Sequence, residues 1–307
     1  MDFPSLSPAF RLDRLQPPSG KVRMVLDTDT YNEIDDQFAL VHALLSPDSM
    51  DVEAIYAAPF HNSRSVNAGD GMEKSHEEIL RLLERLQVAP EGLVYRGAQS
   101  FLTAGDRPET SDAVHDLVER GMASDEPLYV TAIGAITNVA SALLLEPRLV
   151  EKIVVVWLGG QPHHMASASE FNLSQDLHAS RLIFDCGVPF IQIPCHGVAS
   201  HLLSTVAELE RYVQGRGAIG DYLVEIFKAY HSDHYAWSKV VWDISATSYL
   251  INPDWVPTQV VHSPILTDQY TWSHDPKRHF IRVASNVKRD PIFRDVFQKL
   301  EQRAAQG

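Results

Sequence analysis

Short apolar runs alternate along the chain with longer stretches in which apolar residues recur at helical spacing. The short runs predict strands at residues 22–27, 52–57, 92–95, 127–132, 153–158 and 189–193. The longer stretches predict helices at residues 35–45, 71–87, 111–122, 136–145, 176–185 and 201–213. Strands that alternate with helices form parallel sheets, because each helix carries the chain back across the sheet. The pattern therefore predicts an α/β fold with an open, mostly parallel sheet flanked by helices.

The pattern changes after about residue 200. Helical spacing dominates residues 201–251, two further strands are predicted at 257–262 and 279–284, and a final helix at 290–304. No stretch rich in Gly, Pro or Ser divides the chain, so residues 21–307 are interpreted as one domain with a helical C-terminal elaboration. Residues 1–20 are rich in Pro and Ser and are expected to form an extended N-terminal arm.

Four carboxylates lie close together where the first predicted strand ends and the first long helix begins: Asp27, Asp29, Asp35 and Asp36. Capping of the helix N-terminus accounts for one or two of them, but it leaves the repulsion among the others unopposed. A hard divalent cation with oxygen ligands would offset that repulsion. The cluster therefore favours a metal or catalytic site over capping alone.

Polar segments also follow other predicted strands, at residues 59–62, 134–138 and 159–164. In an open α/β sheet, ligands bind beyond the carboxyl ends of the strands. These segments and the carboxylate cluster all fall at that edge, so the pattern predicts a single site there.

The charge, the apolar runs and the cysteines of the chain limit which partners and which compartment we expect. The 307-residue chain carries a formal charge of −14, which argues against nucleic acid as a partner. No apolar run approaches the ~18–20 residues that span a bilayer, and the N-terminus lacks the pattern of a signal peptide. The two cysteines, Cys186 and Cys195, are interpreted as buried free thiols of a reducing compartment. We therefore expect a cytoplasmic protein that binds neither membranes nor nucleic acid.

Two later features carry candidate chemistry. Asp243 interrupts an apolar stretch of helical spacing. It is either a surface residue or cap of that helix, or a distant carboxylate that completes a cation shell. Glu170, Phe171 and Asn172 follow a polar loop. They either cap the next helix or bind a polyhydroxylated ligand, with Phe171 packing against its apolar face. For both features, the residues taken alone do not decide between the two interpretations.

The histidines do not indicate a zinc site. His163, His164, His196 and His201 lack the spacing of a helical ligand pair, and no thiol cluster accompanies them. Of these, His164 alone lies in a loop that we expect to reach the ligand.

Taken together, these motifs resemble the inosine–uridine-preferring nucleoside hydrolase family. The resemblance rests on the run from Asp27 to Asp36, on GAITNVA and EPR within residues 134–148, on the triplet at 170–172 and on Asp243. It covers nearly the whole chain from about residue 22, in the family's order. It implies the family's open α/β fold and a Ca²⁺-dependent hydrolase that cleaves a ribonucleoside or related N-riboside into base and ribose. It also implies a homodimer or homotetramer.

The resemblance implies a set of cation ligands. Asp29 would be a Ca²⁺ ligand and the base that activates water, Asp36 and Asp243 would be further carboxylate ligands, and the backbone carbonyl of Ile133 would add another oxygen. An all-oxygen shell suits Ca²⁺ independently of the resemblance.

The resemblance also implies a riboside site. Asp35 and Asn172 would hold the ribose 2′ and 3′ hydroxyls, and Glu170 would face the 5′ side. The further expected substrate-binding residues are Asn62, His164, Phe171 and Trp242.

The chain departs from the family's pattern at several places. The loop between Asp29 and Asp35 is two residues longer, and its residues 31–33 are expected to reach the pocket. Asn62 stands one position later than the family's Asn, and the shorter loop before Glu170 puts His164 near another expected Asn. Trp242 replaces a His that precedes the late Asp in many members.

The exchange at Trp242 bears on mechanism, because an indole cannot protonate the leaving base. Either another residue supplies the acid, or the substrate differs from inosine-like purines. The candidate acids are Tyr31, His61, His164 and His196.

Two other functions compete with this interpretation. A strand followed by Asp-x-Asp also opens the Mg²⁺-dependent haloacid dehalogenase-type phosphatases, although Tyr31 replaces the Thr or Val expected there. A family member that has lost turnover and binds a riboside as a sensor is the second alternative.

Overall fold

A computed structural model describes residues 2–104 and 106–306. The strands within these residues are β1 Val22–Thr28, β2 Met50–Ala57, β3 Val94–Arg96, β4 Leu128–Ala132, β5 Ile153–Leu158, β6 Phe190–Ile193, β7 Leu203–Ser204, β8 Lys239–Val240, β9 Thr258–His262, β10 Ile265–Leu266, β11 Trp272–Ser273 and β12 Phe280–Ala284. The α-helices are α1 Pro8–Arg14, α2 Asp36–Leu44, α3 Ala68–Leu86, α4 Asp112–Met122, α5 Thr137–Leu145, α6 Phe171–Gln175, α7 Leu177–Asp185, α8 Val206–Tyr212, α9 Gly217–Ala229, α10 Ile244–Ile251 and α11 Arg289–Gln306. Short 3₁₀ helices cover Pro147–Glu151, Ala199–His201 and Pro253–Trp255.

Within the described residues, one sheet of eight strands organises the molecule, in the order β3-β2-β1-β4-β5-β6-β12-β9. Neighbouring strands are parallel except for β9, which runs antiparallel to β12 at the edge. The prediction of an open, mostly parallel sheet flanked by helices is confirmed. The carboxyl ends of β1, β2, β4, β5, β6 and β12 therefore share one edge, where the polar segments collect.

Both faces of the sheet are covered. Met24 and Leu26 of β1 pack into a cluster with α2, α3 and α10, whereas Val25 packs on the other face with α4, α5 and α7. Every residue of β4 and β5 is buried, as the continuous apolar runs predict. Both cysteines are buried free thiols, as expected.

The start of the helical C-terminal part differs from the helix predicted from the sequence. The predicted helix at 201–213 is shorter, because β7 pairs with β8 and Thr205 then caps α8, accepting a bond from Glu208 N–H at 3.2 Å. The pairing of β7 with β8 also ends just before Trp242 and Asp243. Asp243 is thus the residue that precedes α10, at the edge of the main sheet. Among the described residues, none of the helices combines the length and apolar composition that crossing a bilayer requires.

The N-terminal segment is not extended throughout, in contrast to the expectation for residues 1–20. Ser7 accepts a hydrogen bond from Phe10 N–H, and Pro8 occupies the first turn, where its missing N–H costs nothing, so α1 forms. The helix seats Arg11 against the sheet, with its guanidinium donating to Gly187 O at 2.5 Å. Leu15 directly after the helix is fully buried.

This packing generates a stability prediction. We expect Leu15→Ala to destabilise the protein by about 2–5 kcal/mol, the range for buried Leu-to-Ala changes. The matched control is Leu12→Ala on the same segment, where the side chain is 36% exposed and the loss should stay within about 0.5 kcal/mol. Urea unfolding measures both, and equal losses would show that the segment does not dock as described.

Candidate active site

The carboxylates predicted from the sequence converge at the carboxyl end of β1. Asp29 follows the strand, Asp36 opens α2, and Asp243 arrives from the start of α10. Oxygens of Asp35, Asp36 and Asp243 lie within 4.8 Å of one another, and all three residues are buried. Asp35 and Asp36 of the loop and the distant Asp243 thus form one close group of carboxylates, which among the described residues does not include Asp27 or Asp29.

The carboxylate of Asp29 has no hydrogen-bonding partner among the described residues. Both of its side-chain oxygens are buried and unpaired among the described residues. Burial, and then the charges of Asp36 and Asp35, raise the pKa of Asp29 well above its ordinary value. Gly134 packs so closely that a Cβ there would lie 2.8 Å from the Asp29 carboxyl carbon. A buried carboxylate with both oxygens free is suited to a cation.

Asp36 and Asp243 are also buried among neighbouring negative charges. Thr28 Oγ1 donates to Asp36 Oδ1 at 2.5 Å, which orients the carboxylate. Burial and the charge of Asp35 nevertheless raise the pKa of Asp36 to about 7. Burial and the charges of Asp35 and Asp36 raise the pKa of Asp243 well above its usual range. The donor set of the cluster is therefore all oxygen and fits a hard divalent cation.

Asp27 stands behind the cluster. Asn138, on α5, donates from Nδ2 to Asp27 Oδ1 at 2.7 Å and accepts from Ala98 N–H at 2.8 Å. Burial raises the pKa of Asp27 to about 7. Asp27 thus ties β1 to α5 through Asn138, which positions the loop that Asp29 begins.

Asp35 has partners that sequence reasoning missed. Its Oδ2 accepts from the backbone N–H of Trp242 at 3.1 Å. Lys239 is buried near it and forms an ion pair with Glu33. Burial raises the pKa of Asp35, while the charge of Lys239 lowers it. Lys239 lies on β8, and no local pattern in the sequence points to its approach to Asp35.

Asn172 lies at the start of α6 and links two strand ends. Its Nδ2 donates to Ile133 O and to Leu158 O, both at 3.0 Å. The amide nitrogen is therefore fully used, and Oδ1 remains to accept hydrogen bonds from a ligand. The same contacts bring the Ile133 carbonyl, an expected cation ligand, to the pocket.

Glu170 is the N-cap of α6. Its Oε1 accepts from Asn172 N–H at 3.0 Å, and its Oε2 accepts from Gly160 N–H at 2.8 Å and Leu173 N–H at 3.2 Å. Burial raises the pKa of Glu170, and these backbone bonds lower it. The capping interpretation therefore applies to this residue, and most of its acceptor capacity is used within the protein.

A pocket of 360 Å³ opens over the carboxylates. The predicted residues that line it are Asp35, Asp36, Asn62, Ile133, Glu170, Phe171, Asn172, Trp242 and Asp243, while Asp29 is buried and is not part of the lining. Gln161 and Cys195 also line it and were missed, although Gln161 directly follows the Gly-Gly turn. His164 lines a neighbouring cavity instead.

The two extra loop residues reshape one wall of the pocket. Asn62 Nδ2 donates to Asn32 Oδ1 at 2.6 Å, so the two amides form a pair. Arg64 supports the loop from behind, donating to Tyr31 O and Glu33 O. Asn32 and Glu33 line the pocket, as expected, whereas Tyr31 is not part of its lining.

The four candidate acids occupy different surroundings. His61 is exposed, and its backbone N–H donates to Gln175. The guanidinium of Arg64 lies 5.8 Å from the ring centre of Tyr31. His164 lines the neighbouring cavity, whereas His196 lines both that cavity and the pocket, with its ring centre 6.3 Å from that of Trp242.

Comparison with known proteins gives a consistent picture. A model of the family described as inosine-uridine preferring nucleoside hydrolase matches residues 24–294. The pyrimidine-specific ribonucleoside hydrolase RihB of Escherichia coli O139:H28 is 27% identical over 161 residues, which cover 50% of this chain and 51% of that protein. A putative pyrimidine-specific RihB of Shigella boydii is also 27% identical over 161 residues, covering 50% of this chain and 66% of the relative. The chain thus matches about half to two-thirds of the length of these relatives.

Solved structures share the fold. A purine-preferring ribonucleoside hydrolase from Gardnerella vaginalis superposes with a TM-score of 0.72 at 20% identity, covering 93% of this chain and 100% of that one. An inosine-guanosine nucleoside hydrolase superposes with a TM-score of 0.71 at 18% identity, covering 92% and 98%. At these identities, the likeness establishes the architecture alone.

The raised pKa values predict how stability depends on pH. Asp27 and Asp36 have pKa values of about 7 in the fold, against an ordinary 3.8. The folded state thus holds protons that the unfolded state has lost, and stability must fall as pH rises through about 7. His42, His163 and His279, whose pKa values burial lowers, act in the opposite sense, mainly below about pH 6.5.

We therefore expect chelator-treated protein to melt about 5 °C lower at pH 8.5 than at pH 6.5. Added Ca²⁺ should recover most of that loss at pH 8.5. The Asp36→Asn variant is the control and should show a smaller drop. A melting temperature that is unchanged or higher at pH 8.5 would contradict the electrostatic account.

Proposed function

Because this chain belongs to the inosine-uridine preferring nucleoside hydrolase family, we propose that it is a Ca²⁺-dependent N-ribohydrolase that cleaves a ribonucleoside or related N-riboside into base and ribose. The observation that carries the proposal is Asp29, whose two buried oxygens have no partner among the described residues and whose pKa is raised by burial and by the charges of Asp36 and Asp35. Membership of this family leaves the haloacid dehalogenase-type phosphatase without support.

Asp29, Asp36, Asp243 and the carbonyl of Ile133 would hold the cation. Bound Ca²⁺ would neutralise the cluster, orient the vicinal hydroxyls of the ribose and make a water molecule more acidic. Asp29 would accept the proton of that water, because a neighbouring positive charge returns its pKa to the range of a carboxylate base. The water would then attack C1′ as the bond to the base breaks.

The remaining residues would hold the sugar. Asp35 would accept from one ribose hydroxyl with the oxygen that Trp242 N–H leaves free, and Asn172 would accept from the other with Oδ1. The buried carboxylates also favour the positive charge that develops on the ribose ring as the bond breaks. Phe171 would pack against the apolar face of the sugar, with Glu170 on the 5′ side.

The base would lie between Trp242 and the wall formed by Asn32 and Asn62. Trp242 would stack on it, and an indole N–H only hydrogen-bonds. His164 would contact substrate only beyond the ribose pocket, since it lines the neighbouring cavity. We further propose, from the family resemblance and the cysteine usage, a cytoplasmic homodimer or homotetramer.

The catalytic role of Asp29 has a direct test. The wild-type protein with Ca²⁺ should release ribose from at least one member of a panel of purine and pyrimidine ribonucleosides. Asp29→Asn should lower kcat by about 1,000-fold or more, because the amide cannot take the proton. The same variant should melt at a higher temperature without cation, since it removes one buried charge.

The control for this test is Asp290→Asn, which alters an exposed carboxylate and should leave turnover unchanged. Full activity of Asp29→Asn would exclude the assigned role. If ribosides bind without being cleaved by the wild-type protein, the sensor alternative replaces the enzyme.

The replacement at Trp242 predicts a dependence on the leaving group. Without an acid at this position, p-nitrophenyl riboside, whose leaving group needs no protonation, should be cleaved at least about 10-fold faster than any purine riboside. Trp242→His should raise kcat/KM for purine ribosides and leave that for p-nitrophenyl riboside nearly unchanged. An equal change for both substrates would show that position 242 does not govern departure of the base.

A further inference from the structure

A second and larger cavity of 830 Å³ lies beside the ribose pocket. It is formed by the loops after β5 and β6, by the edge strand β9 and by the end of β12. His196 is common to both cavities, and Gln161 of the ribose pocket directly precedes Pro162 of the larger one. The two spaces are therefore neighbours along the same edge of the sheet.

The order of the strands fixes which end of the ribose pocket faces this cavity. Asn32 and Asn62 belong to the loops after β1 and β2, on one side of the carboxylates. Gln161 and His196 follow β5 and β6 on the other side, and the cavity continues from there towards β12 and β9. Glu170 bonds to Gly160 after β5, so it stands at the same end as the cavity. In the proposed function, that end receives C5′ of the riboside.

The groups at this end are poorly equipped for a free 5′ hydroxyl. Three backbone N–H groups already occupy the Glu170 carboxylate. Gln161 accepts from the backbone N–H of His196 at 3.1 Å and donates to Ser169 O at 3.2 Å. Both side chains are thus engaged within the protein, and the space beyond them is open.

The lining of the cavity defines what it would accept. Its walls combine Val198, Val261, Val283 and Met165 with imidazole rings, and its lining within the described residues contains Asp275 but neither Lys nor Arg. Such a surface favours an uncharged, partly apolar group over a phosphate.

Two of the histidines of the lining are held by hydrogen bonds within the protein. His163 Nε2–H donates to Gln192 Oε1 at 2.7 Å, and Gln192 is oriented by donating to Gly159 O at 3.0 Å. Burial lowers the pKa of His163 to about 4, so it carries no charge at neutral pH. His262 donates from Nδ1 to Arg278 O at 2.7 Å. The N–H groups that make these two bonds are therefore engaged within the protein and do not face a ligand.

We propose that this cavity binds an uncharged substituent on C5′, so that 5′-substituted ribonucleosides such as 5′-alkylthio derivatives are preferred ligands of this protein. The inference rests on the proposed function, which places C5′ at the Glu170 end. It also gives His164 a role, because that residue reaches the cavity and not the ribose pocket.

Equilibrium binding tests the inference apart from turnover. Calorimetric titrations of the Ca²⁺-loaded Asp29→Asn variant would compare inosine, adenosine and uridine with their 5′-methylthio derivatives and 5′-monophosphates. We expect each methylthio compound that binds to do so about 10-fold tighter than its parent, as burial of two methylene-sized groups predicts. The monophosphates should bind more weakly than the parents. Equal affinity of parent and methylthio compounds, or tighter binding of the monophosphates, would overturn the proposal.

Substitutions on the edge strand β9 and on the loop after β5 test whether the preference for methylthio compounds arises in this cavity. Val261→Asp places a charge in the cavity and should abolish the methylthio preference while leaving binding of the parent riboside unchanged. Val260→Asp is the matched control, because adjacent strand residues face opposite sides and Val260 is 40% exposed. Met165→Asp, on an exposed loop position, repeats the test without risk to the sheet. A preference that survives both Val261→Asp and Met165→Asp would place the substituent elsewhere.

Turnover by the wild-type protein separates the two claims. Cleavage of parent ribosides without any 5′ preference would leave the proposed function standing and remove the inference. Tighter binding of methylthio compounds with no riboside cleaved would keep the cavity assignment and remove the hydrolase activity.

Discussion

Mutual repulsion among buried carboxylates is the constraint on which this end of the molecule depends. Asp29, Asp35, Asp36 and Asp243 are each at most 4% exposed, and no Lys or Arg in the described residues pairs directly with any of them. The sheet supplies the rigidity that holds them together, because each follows a strand or opens a helix. A fold that concentrates negative charge in this way gains stability when a cation binds, and it acquires a site for a ligand rich in hydroxyl groups.

The strands and helices that form this end of the sheet could be predicted from the sequence. Continuous apolar runs mark β4 and β5, and the carboxylates after β1 mark the site, because both signals arise within short stretches of chain. The expectation of an extended arm is wrong for residues 8–14, where Ser7 and Pro8 give a local signal for the start of a helix and the docking of Arg11 and Leu15 on distant residues holds it in place. Contacts of that kind leave little trace in local sequence.

Among the site residues, too, some features could be predicted from local sequence and others depend on contacts between distant segments. The backbone hydrogen bonds that occupy Glu170, and the burial of Lys239 near Asp35, depend on how separate loops meet. His164 lies only three residues from Gln161, which lines the ribose pocket, yet His164 lines the neighbouring cavity. A residue's position in a motif therefore indicates its neighbourhood, whereas the direction of its side chain requires the structure.

The central claim is that Asp29, Asp36, Asp243 and the Ile133 carbonyl bind one cation. Its most direct test is a crystal structure of the protein grown with Ca²⁺, in which anomalous scattering locates the ion. The account predicts a single ion with oxygen ligands from all four residues at about 2.3–2.6 Å. An ion bound elsewhere, or a cluster that stays free of metal at saturating Ca²⁺, would contradict it.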